Sequence, residues 1–138
     1  MTSSDPRSGS AGDDSGVGSD ERFRKSERLR KRPQFLNARR NGWRTGGRQV
    51  VVYVVANSVG HPRIGITVSG RVGNAVVRNR WKRRIREIFR RSKERFGGGL
   101  DTVVIVTGRG DPPPFDDLKR DVLETTSRAV ASYRQRRD

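Results

Sequence analysis

Acidic side chains and the single histidine are the first residues in this chain to consider for catalytic chemistry. A protein that hydrolyses phosphate esters generally needs carboxylates that hold two metal ions. The candidates are Asp111, Asp116, Asp117 and Glu124. They cluster about the start of a predicted helix, where compensation of the helix dipole is the simpler explanation. His61 stands in a predicted turn with no evident partner. We therefore predict no catalytic residue and no metal site.

Positive charge dominates the remaining polar chemistry. The 138 residues include 31 Lys and Arg against 15 Asp and Glu, a formal net charge of +16. This balance predicts a polyanionic partner, although histones, ribosomal proteins and membrane-surface peptides share it. There is no cysteine, which excludes disulfides and thiolate metal sites. No apolar run approaches the roughly 20 residues that cross a bilayer. We expect a cytoplasmic protein with no membrane partner.

A predicted helix from Asn74 to Arg95 concentrates this charge. It holds ten Lys or Arg, with Glu87 and Glu94 as its only acids. Apolar residues recur along it at helical spacing, namely Val77, Trp81, Ile85, Ile88 and Phe89. The stripe should face a core, with Arg80, Arg83, Arg84 and Arg91 pointing largely outward and Arg78, Lys82 and Arg86 on the flanks. Guanidinium groups suit bidentate phosphate binding, so a phosphate-binding helix is favoured over a solvated charged face.

The elements that must position this helix follow from the apolar pattern. A short helix begins at Pro33, turns Phe35 and Leu36 inward and ends before Gly42. Strands are predicted at 49–56, 63–69 and 102–106, the second antiparallel to the first because their link is short. The basic helix, capped by Asn74, runs to about Phe96. A last helix follows the prolines at 112–114, with Phe115, Leu118, Val122, Ala129 and Tyr133 on its inner face.

These elements fit one small sheet with helices on one face and the other face open. Because strand residues alternate sides, Tyr53 shares a face with Val51 and Val55. There it is either a base-stacking residue or part of the core. Residues 1–24 are rich in Ser, Gly and Asp, and are predicted to be a disordered acidic tail. Residues 25–138 form the predicted domain.

A specific motif lies on the basic helix. The segment RVGNAVVRNRWKRRIRE, Arg71 to Glu87, resembles the signature of the bacterial ribonuclease P protein family. The family pattern is Ala, two residues, Arg-Asn, a basic and a hydrophobic residue, Lys-Arg and a later Arg. It is matched here by Ala75, Arg78, Asn79, Arg80, Trp81, Lys82, Arg83 and Arg86. The resemblance covers roughly Arg24 to Tyr133 and omits the acidic tail.

The resemblance implies an α+β fold, a two-layer α/β sandwich in αβββαβα order, like domain 2 of ribosomal protein S5. It implies a small mixed sheet with a left-handed crossover, an exception to the usual handedness. It also requires a fourth strand that the apolar pattern does not reveal. The implied function is that of the protein subunit of ribonuclease P, an endoribonuclease that removes the 5′ leader of precursor tRNA. The implied partners are ribonuclease P RNA and precursor tRNA, with no obligate protein partner evident.

In that family the RNA carries out catalysis, so we expect Mg²⁺ to be held mainly by the RNA partner and none by the protein alone. The residues implied to bind the catalytic RNA are Arg78, Asn79, Arg80, Lys82, Arg83 and Arg86. Those implied to line the leader cleft, between the first helix and the sheet, are Phe35, Arg39, Tyr53 and Arg71. Trp81 stands where an aliphatic residue is usual. Arg39 stands where an aromatic one is frequent, and its guanidinium could stack instead.

Two other functions compete with this interpretation. A ribosomal or ribosome-associated protein of the same fold would bind folded RNA without enabling cleavage of precursor tRNA. A DNA-binding module is disfavoured because the basic helix is flanked by strands and not by the helices of a helix-turn-helix.

Overall fold

The computed structural model describes residues 23–137, and its elements confirm the expected αβββαβα order. The helices are α1 (Arg32–Asn41), α2 (Ala75–Arg91) and α3 (Phe115–Arg137). The strands are β1 (Trp43–Gly46), β2 (Val50–Ala56), β3 (Arg63–Thr67) and β4 (Leu100–Val106). Single 3-10 turns lie before α1, at Lys25–Glu27, and after α2, at Lys93–Phe96.

The four strands form one mixed sheet in the order β1-β2-β4-β3. Strand β2 pairs antiparallel with β1 and β4, whereas β3 pairs parallel with β4. The predicted antiparallel orientation of β2 and β3 is confirmed, but the two strands do not pair with each other, because β4 lies between them. The apolar content of β4 explains its central position, because all its residues except Ile105 are buried.

Strand β1 is the one that the apolar pattern did not reveal. It is four residues long, with half-buried Trp43 and Thr45 alternating with exposed Arg44 and Gly46. Two half-buried residues, Trp43 and Thr45, are too short a pattern to distinguish a strand from a turn in the sequence. Its strand conformation follows from antiparallel pairing with β2, in a register that runs from Trp43 opposite Val54 to Gly46 opposite Val51.

One face of the sheet packs against α2 and α3. The strands contribute Val50, Val52, Val54, Ile64, Val104 and Val106 to this core, and the helices contribute Trp81, Ile85, Ile88, Phe89, Leu118, Val122, Ala129 and Tyr133. The predicted apolar stripes of both helices are confirmed, with Val77 and Phe115 at their starts only partly buried. Trp81 is fully buried, and its indole N–H donates to the carbonyl of Gly110 at 2.8 Å. The core thus accommodates an indole at a position where an aliphatic side chain is usual in the family that the motif resembles.

The short helix α1 lies on the opposite face of the sheet. Leu29, Ala38, Val55 and Val103 form a small buried cluster there, with Phe35, Tyr53 and Ile105 partly buried against it. The expectation of helices on one face thus holds for α2 and α3, and α1 covers part of the second face. Because α1 has only ten residues, it leaves Val51, Tyr53 and Ile105 accessible beside it.

The start of the described chain is packed against α2. The ring of Phe23 lies 5.5 Å from that of Phe89 in an edge-on arrangement. The backbone N–H of Arg24 donates to Oε1 of Glu27 at 2.7 Å. These two residues, assigned to the tail from sequence, therefore contact the domain. Residues 1–22 lie outside the described residues, so their disorder stays a prediction. Within residues 23–137, no helix has the length and apolar composition needed to cross a bilayer.

Candidate nucleic-acid interface

Helix α2 presents the basic motif on the side turned away from the sheet. Asn74 caps the helix as predicted, since its side-chain oxygen accepts a hydrogen bond from the backbone N–H of Val77 at 3.0 Å. The helix ends at Arg91, short of the predicted Phe96, because Ser92 leaves the helical conformation with φ −134° and ψ 34°. A 3-10 turn then carries the chain to Phe96, whose ring packs 4.9 Å from that of Phe89.

The six motif residues differ in exposure. Asn79, Arg80 and Arg83 are exposed. Arg78, Lys82 and Arg86 are half-buried along the flanks of the helix, as predicted. The buried apolar stripe sets this division, because it fixes which side of the helix turns toward solvent. None of the six side chains is fully buried.

Arg86 lies close to a second guanidinium, that of Arg28, in the segment before α1. Partial burial lowers the pKa of Arg86, and the positive charge of Arg28 lowers it further. Arg86 remains protonated at neutral pH because an arginine pKa starts far above it. Arg28 lies over the ring of Phe23 at 4.7 Å, which partly offsets the repulsion between the two cations. Positive charge is thus packed densely here.

Several basic side chains of α2 are held by partners within the protein. Arg80 donates from Nη1 to Oδ1 of Asp111 at 2.6 Å. Arg90 and Arg91 both pair with Glu87, and the hydrogen bond from Arg90 is the main cause of a lowered Glu87 pKa. These residues present less free positive charge to a ligand than their number suggests.

Arg84 departs from the predicted orientation. It is half-buried, and its Nη1 donates to the carbonyl of Pro113 at 2.9 Å. The prediction that it points outward is therefore wrong. The reason is tertiary: the loop between β4 and α3 passes close to this side of α2 and supplies a carbonyl that no pattern within the helix predicts.

The second surface is a cleft between α1 and the open face of the sheet, which we call the α1 cleft. Phe35 and Arg39 come from α1, and Tyr53 comes from β2. The guanidinium of Arg39 lies 5.7 Å from the centre of the Tyr53 ring. Tyr53 is half-buried and lies on the same face as Val55, as the strand alternation predicted. Three of the four residues implied for the leader site are thus brought together.

Arg71, the fourth residue, lies elsewhere. It is exposed in the turn between β3 and α2, outside both α1 and the sheet face that carry the other three.

Arg44 is a cleft residue that the sequence pattern did not reveal. It lies opposite Tyr53 in the β1–β2 register, is exposed, and shares the open face of the sheet. The missed strand β1 is the reason for the omission. The alternation of Trp43 and Thr45 with Arg44 is the only signal that could have revealed it.

The carboxylates and His61 do not form a catalytic cluster in the described chain. Across residues 23–137, no three His, Asp or Glu side chains lie together in an arrangement that could hold a metal ion. Asp116 and Asp117 occupy the first turn of α3, as expected for dipole compensation. Asp111 pairs with Arg80, and His61 Nδ1 lies 3.1 Å from the carbonyl of Pro62. Glu124 is exposed.

Two other aspartates serve the fold. Asp101 binds Arg63 through two hydrogen bonds of 2.8 and 2.9 Å. Asp121 accepts hydrogen bonds from the backbone N–H groups of Arg48 and Gln49, which fastens the β1–β2 turn to α3.

Comparison with known proteins gives a consistent result. The family model described as Ribonuclease P matches residues 23–130. The ribonuclease P protein component of Syntrophus aciditrophicus is 40% identical over 100 residues, which span 72% of this chain and 84% of that protein. That of Pseudarthrobacter chlorophenolicus is 42% identical over 113 residues, which span 79% and 83%.

Solved structures agree with the sequence relatives. The ribonuclease P protein from Thermotoga maritima matches with a TM-score of 0.65 at 35% identity, over 74% of this chain and 96% of that one. The ribonuclease P protein from Staphylococcus aureus matches with a TM-score of 0.56 at 30% identity, over 80% and 94%.

Proposed function

The chain belongs to the ribonuclease P protein family, and we propose that it is the protein subunit of a bacterial ribonuclease P ribonucleoprotein. We infer that it binds the catalytic RNA and the 5′ leader of precursor tRNA. Through both contacts it assists the hydrolysis that removes the leader and leaves the mature 5′ end. We also infer a cytoplasmic location.

One observation carries this proposal: two surfaces suited to RNA lie on opposite sides of the same sheet. Helix α2 packs against one face and exposes Arg80 and Arg83, while the α1 cleft lies on the other face. A protein of this design can contact two RNA segments at once. Occupation of one surface does not block the other.

The two surfaces suit different kinds of RNA. The exposed arginines of α2 match the phosphates of a folded RNA, which guanidinium groups bind without reading base identity. The α1 cleft offers aromatic rings beside guanidinium groups, an arrangement that suits stacking of unpaired bases. We therefore assign the catalytic RNA to α2 and the single-stranded leader to the α1 cleft.

The chemistry of cleavage is assigned to the RNA partner. The carboxylates of residues 23–137 pair with arginines, cap backbone N–H groups or lie apart, and none of their groupings suits a metal ion. No step of the hydrolysis is therefore assigned to a metal on this chain. We propose that the Mg²⁺ required for the reaction is held by the RNA.

Reconstitution tests the proposal. The full-length protein is mixed with a bacterial ribonuclease P RNA and precursor tRNA at a low Mg²⁺ concentration at which the RNA alone is inactive. We expect cleavage at the mature 5′ end. A protein that binds the RNA tightly without enabling this cleavage would instead fit the ribosome-associated alternative.

Assignment of the catalytic RNA to α2 is tested by Arg83→Ala, with Arg95→Ala as the matched control. Both arginines are exposed and each substitution removes one charge, but Arg95 lies on the 3-10 turn outside the motif. We expect Arg83→Ala to weaken binding to the catalytic RNA by about 1.5–3 kcal/mol, as for a charge-assisted hydrogen bond. Arg95→Ala should change it little. Equal effects of the two substitutions in a binding titration would indicate general electrostatics and not a contact at the motif.

A further inference from the structure

The loop between β4 and α3 places an acidic side chain against the middle of the basic motif. Oδ1 of Asp111 lies 2.6 Å from Nη1 of Arg80, and the two side chains are 65% and 46% exposed. Acidic residues are scarce in this chain, with 15 Asp and Glu against 31 Lys and Arg. One of them, Asp111, nevertheless forms an ion pair with an arginine on the surface assigned to the catalytic RNA.

Contacts on both sides of the carboxylate hold the loop in place. The indole N–H of Trp81 donates to the carbonyl of Gly110 at 2.8 Å. Nη1 of Arg84 donates to the carbonyl of Pro113 at 2.9 Å. Gly110 has φ +74°, a left-handed conformation that favours glycine. The loop is therefore fastened to α2 one residue before and two residues after the aspartate, and its backbone sets where the carboxylate lies.

A carboxylate and a phosphate bind to the same guanidinium N–H groups of Arg80. Each accepts hydrogen bonds from guanidinium N–H groups, and two anions that share one guanidinium repel each other. An ion pair this exposed is weak, so a phosphate of the catalytic RNA can displace the carboxylate. Displacement nevertheless has a cost, because the existing ion pair must be broken before the new contact forms.

We propose that Asp111 is an intramolecular competitor for RNA phosphate at Arg80 and lowers the affinity of the basic motif for RNA. The proposal depends on the assignment of the catalytic RNA to α2. It also distinguishes two arginines of the motif: Arg80 has an acidic partner, whereas Arg83 has none within the described part of the chain. Arg83 should therefore contribute more to binding than Arg80 does.

The test compares Asp111→Asn with Asp117→Asn in the full-length protein, by titration of a fluorescently labelled bacterial ribonuclease P RNA. Asp117 is a matched control, since it is 57% exposed and pairs at 3.5 Å with Arg120 of α3 and not with an arginine of the motif. Each substitution removes one negative charge. We expect Asp111→Asn to bind the RNA about 2- to 5-fold more tightly than the wild type, and Asp117→Asn to differ by less than about 1.5-fold.

The same substitutions in an Arg80→Ala background complete the test. In this background Asp111→Asn should increase the affinity for RNA no more than Asp117→Asn does, because the guanidinium of Arg80, for which carboxylate and phosphate compete, is absent. Thermal unfolding of each variant verifies that all proteins are folded at the temperature of the titration.

Two results would overturn the proposal, and they are distinguishable. If Arg80→Ala weakens binding but Asp111→Asn binds no more tightly than the Asp117→Asn control, the carboxylate is not a competitor, while the function assigned to α2 stands. If Arg80→Ala leaves RNA binding unchanged, Arg80 makes no RNA contact. In that case the assignment of the catalytic RNA to this part of α2 is wrong, and so is the proposal.

Discussion

Among single residues, Tyr53 has the surroundings best suited to an unpaired base. Its ring is half-buried on the open face of the sheet, so it is held in place without being covered. Arg39 lies 5.7 Å from its centre, and Arg44 lies opposite it on β1. A nucleotide whose base stacks on this ring would place its phosphate near two guanidinium groups. Base stacking and electrostatic attraction would then act at the same site.

We predict that Tyr53→Ala weakens binding of precursor tRNA to the assembled ribonucleoprotein by about 1–3 kcal/mol, roughly 5- to 150-fold. Tyr53→Phe keeps the ring and should bind almost normally. Mature tRNA, which has no leader, should bind both variants as it binds the wild type. Affinity measurements on the three proteins, with unfolding curves for each, check this. A stable Tyr53→Ala protein with normal affinity would leave Phe35 as the main aromatic candidate.

At the level of elements, the position of α1 over the sheet determines the shape of the α1 cleft. The ring of Phe35 packs directly on Gly65 of β3, where a Cβ atom would lie 2.6 Å from the ring. Real Cβ atoms do not approach this closely, so any larger residue at this position must displace the ring of Phe35. The absence of a side chain at Gly65 thus allows the helix to lie close to the strand.

Gly65→Ala tests this packing, with Gly46→Ala as its control. Gly46 lies in β1, and a methyl group added to it would have no other atom within 4 Å, so a side chain there meets open space. We expect Gly65→Ala to destabilise the protein by about 1–3 kcal/mol through overpacking. It should also weaken leader binding, because Phe35 is displaced, and leave binding to the catalytic RNA unchanged.

Urea unfolding and the two binding titrations measure these effects. Gly46→Ala should match the wild type in all three experiments. If Gly65→Ala is as stable as the control and binds precursor tRNA normally, α1 can shift freely and does not determine the geometry of the cleft.

For the whole molecule, the excess of positive charge governs how RNA binding responds to salt. A formal net charge of +16 cannot be neutralised within the chain. Phosphate contacts on α2 should release counterions from the RNA, which makes affinity strongly dependent on salt concentration. The internal ion pairs of α2 reduce the number of arginines that contribute fully to this effect.

We predict that the logarithm of affinity for the catalytic RNA falls linearly with the logarithm of salt concentration. Removal of Arg80 and Arg83 together should make that slope shallower by about two units, if each meets one phosphate. Titrations at several NaCl concentrations give the slope for both proteins. An unchanged slope would mean that neither arginine lies at the RNA interface.

Helix α2 was predictable from the sequence in most respects. Its cap at Asn74, its buried stripe through Trp81 and Ile85, and the exposure of Arg80 and Arg83 all follow from spacing within one segment. A helix repeats every 3.6 residues whatever its neighbours, so the sequence alone determines which side is apolar and which is basic. The most specific motif of the resemblance to the ribonuclease P protein family lies in this same segment.

Other features depend on contacts between distant parts of the chain, and only the tertiary structure decided them. The four-residue strand β1 exists because β2 pairs with it, and β4 separates β2 from β3 because it is the most buried strand. The ion pair between Arg80 and Asp111 joins residues that are 31 positions apart. Local pattern cannot specify such contacts, since each one depends on where a second segment of the chain lies.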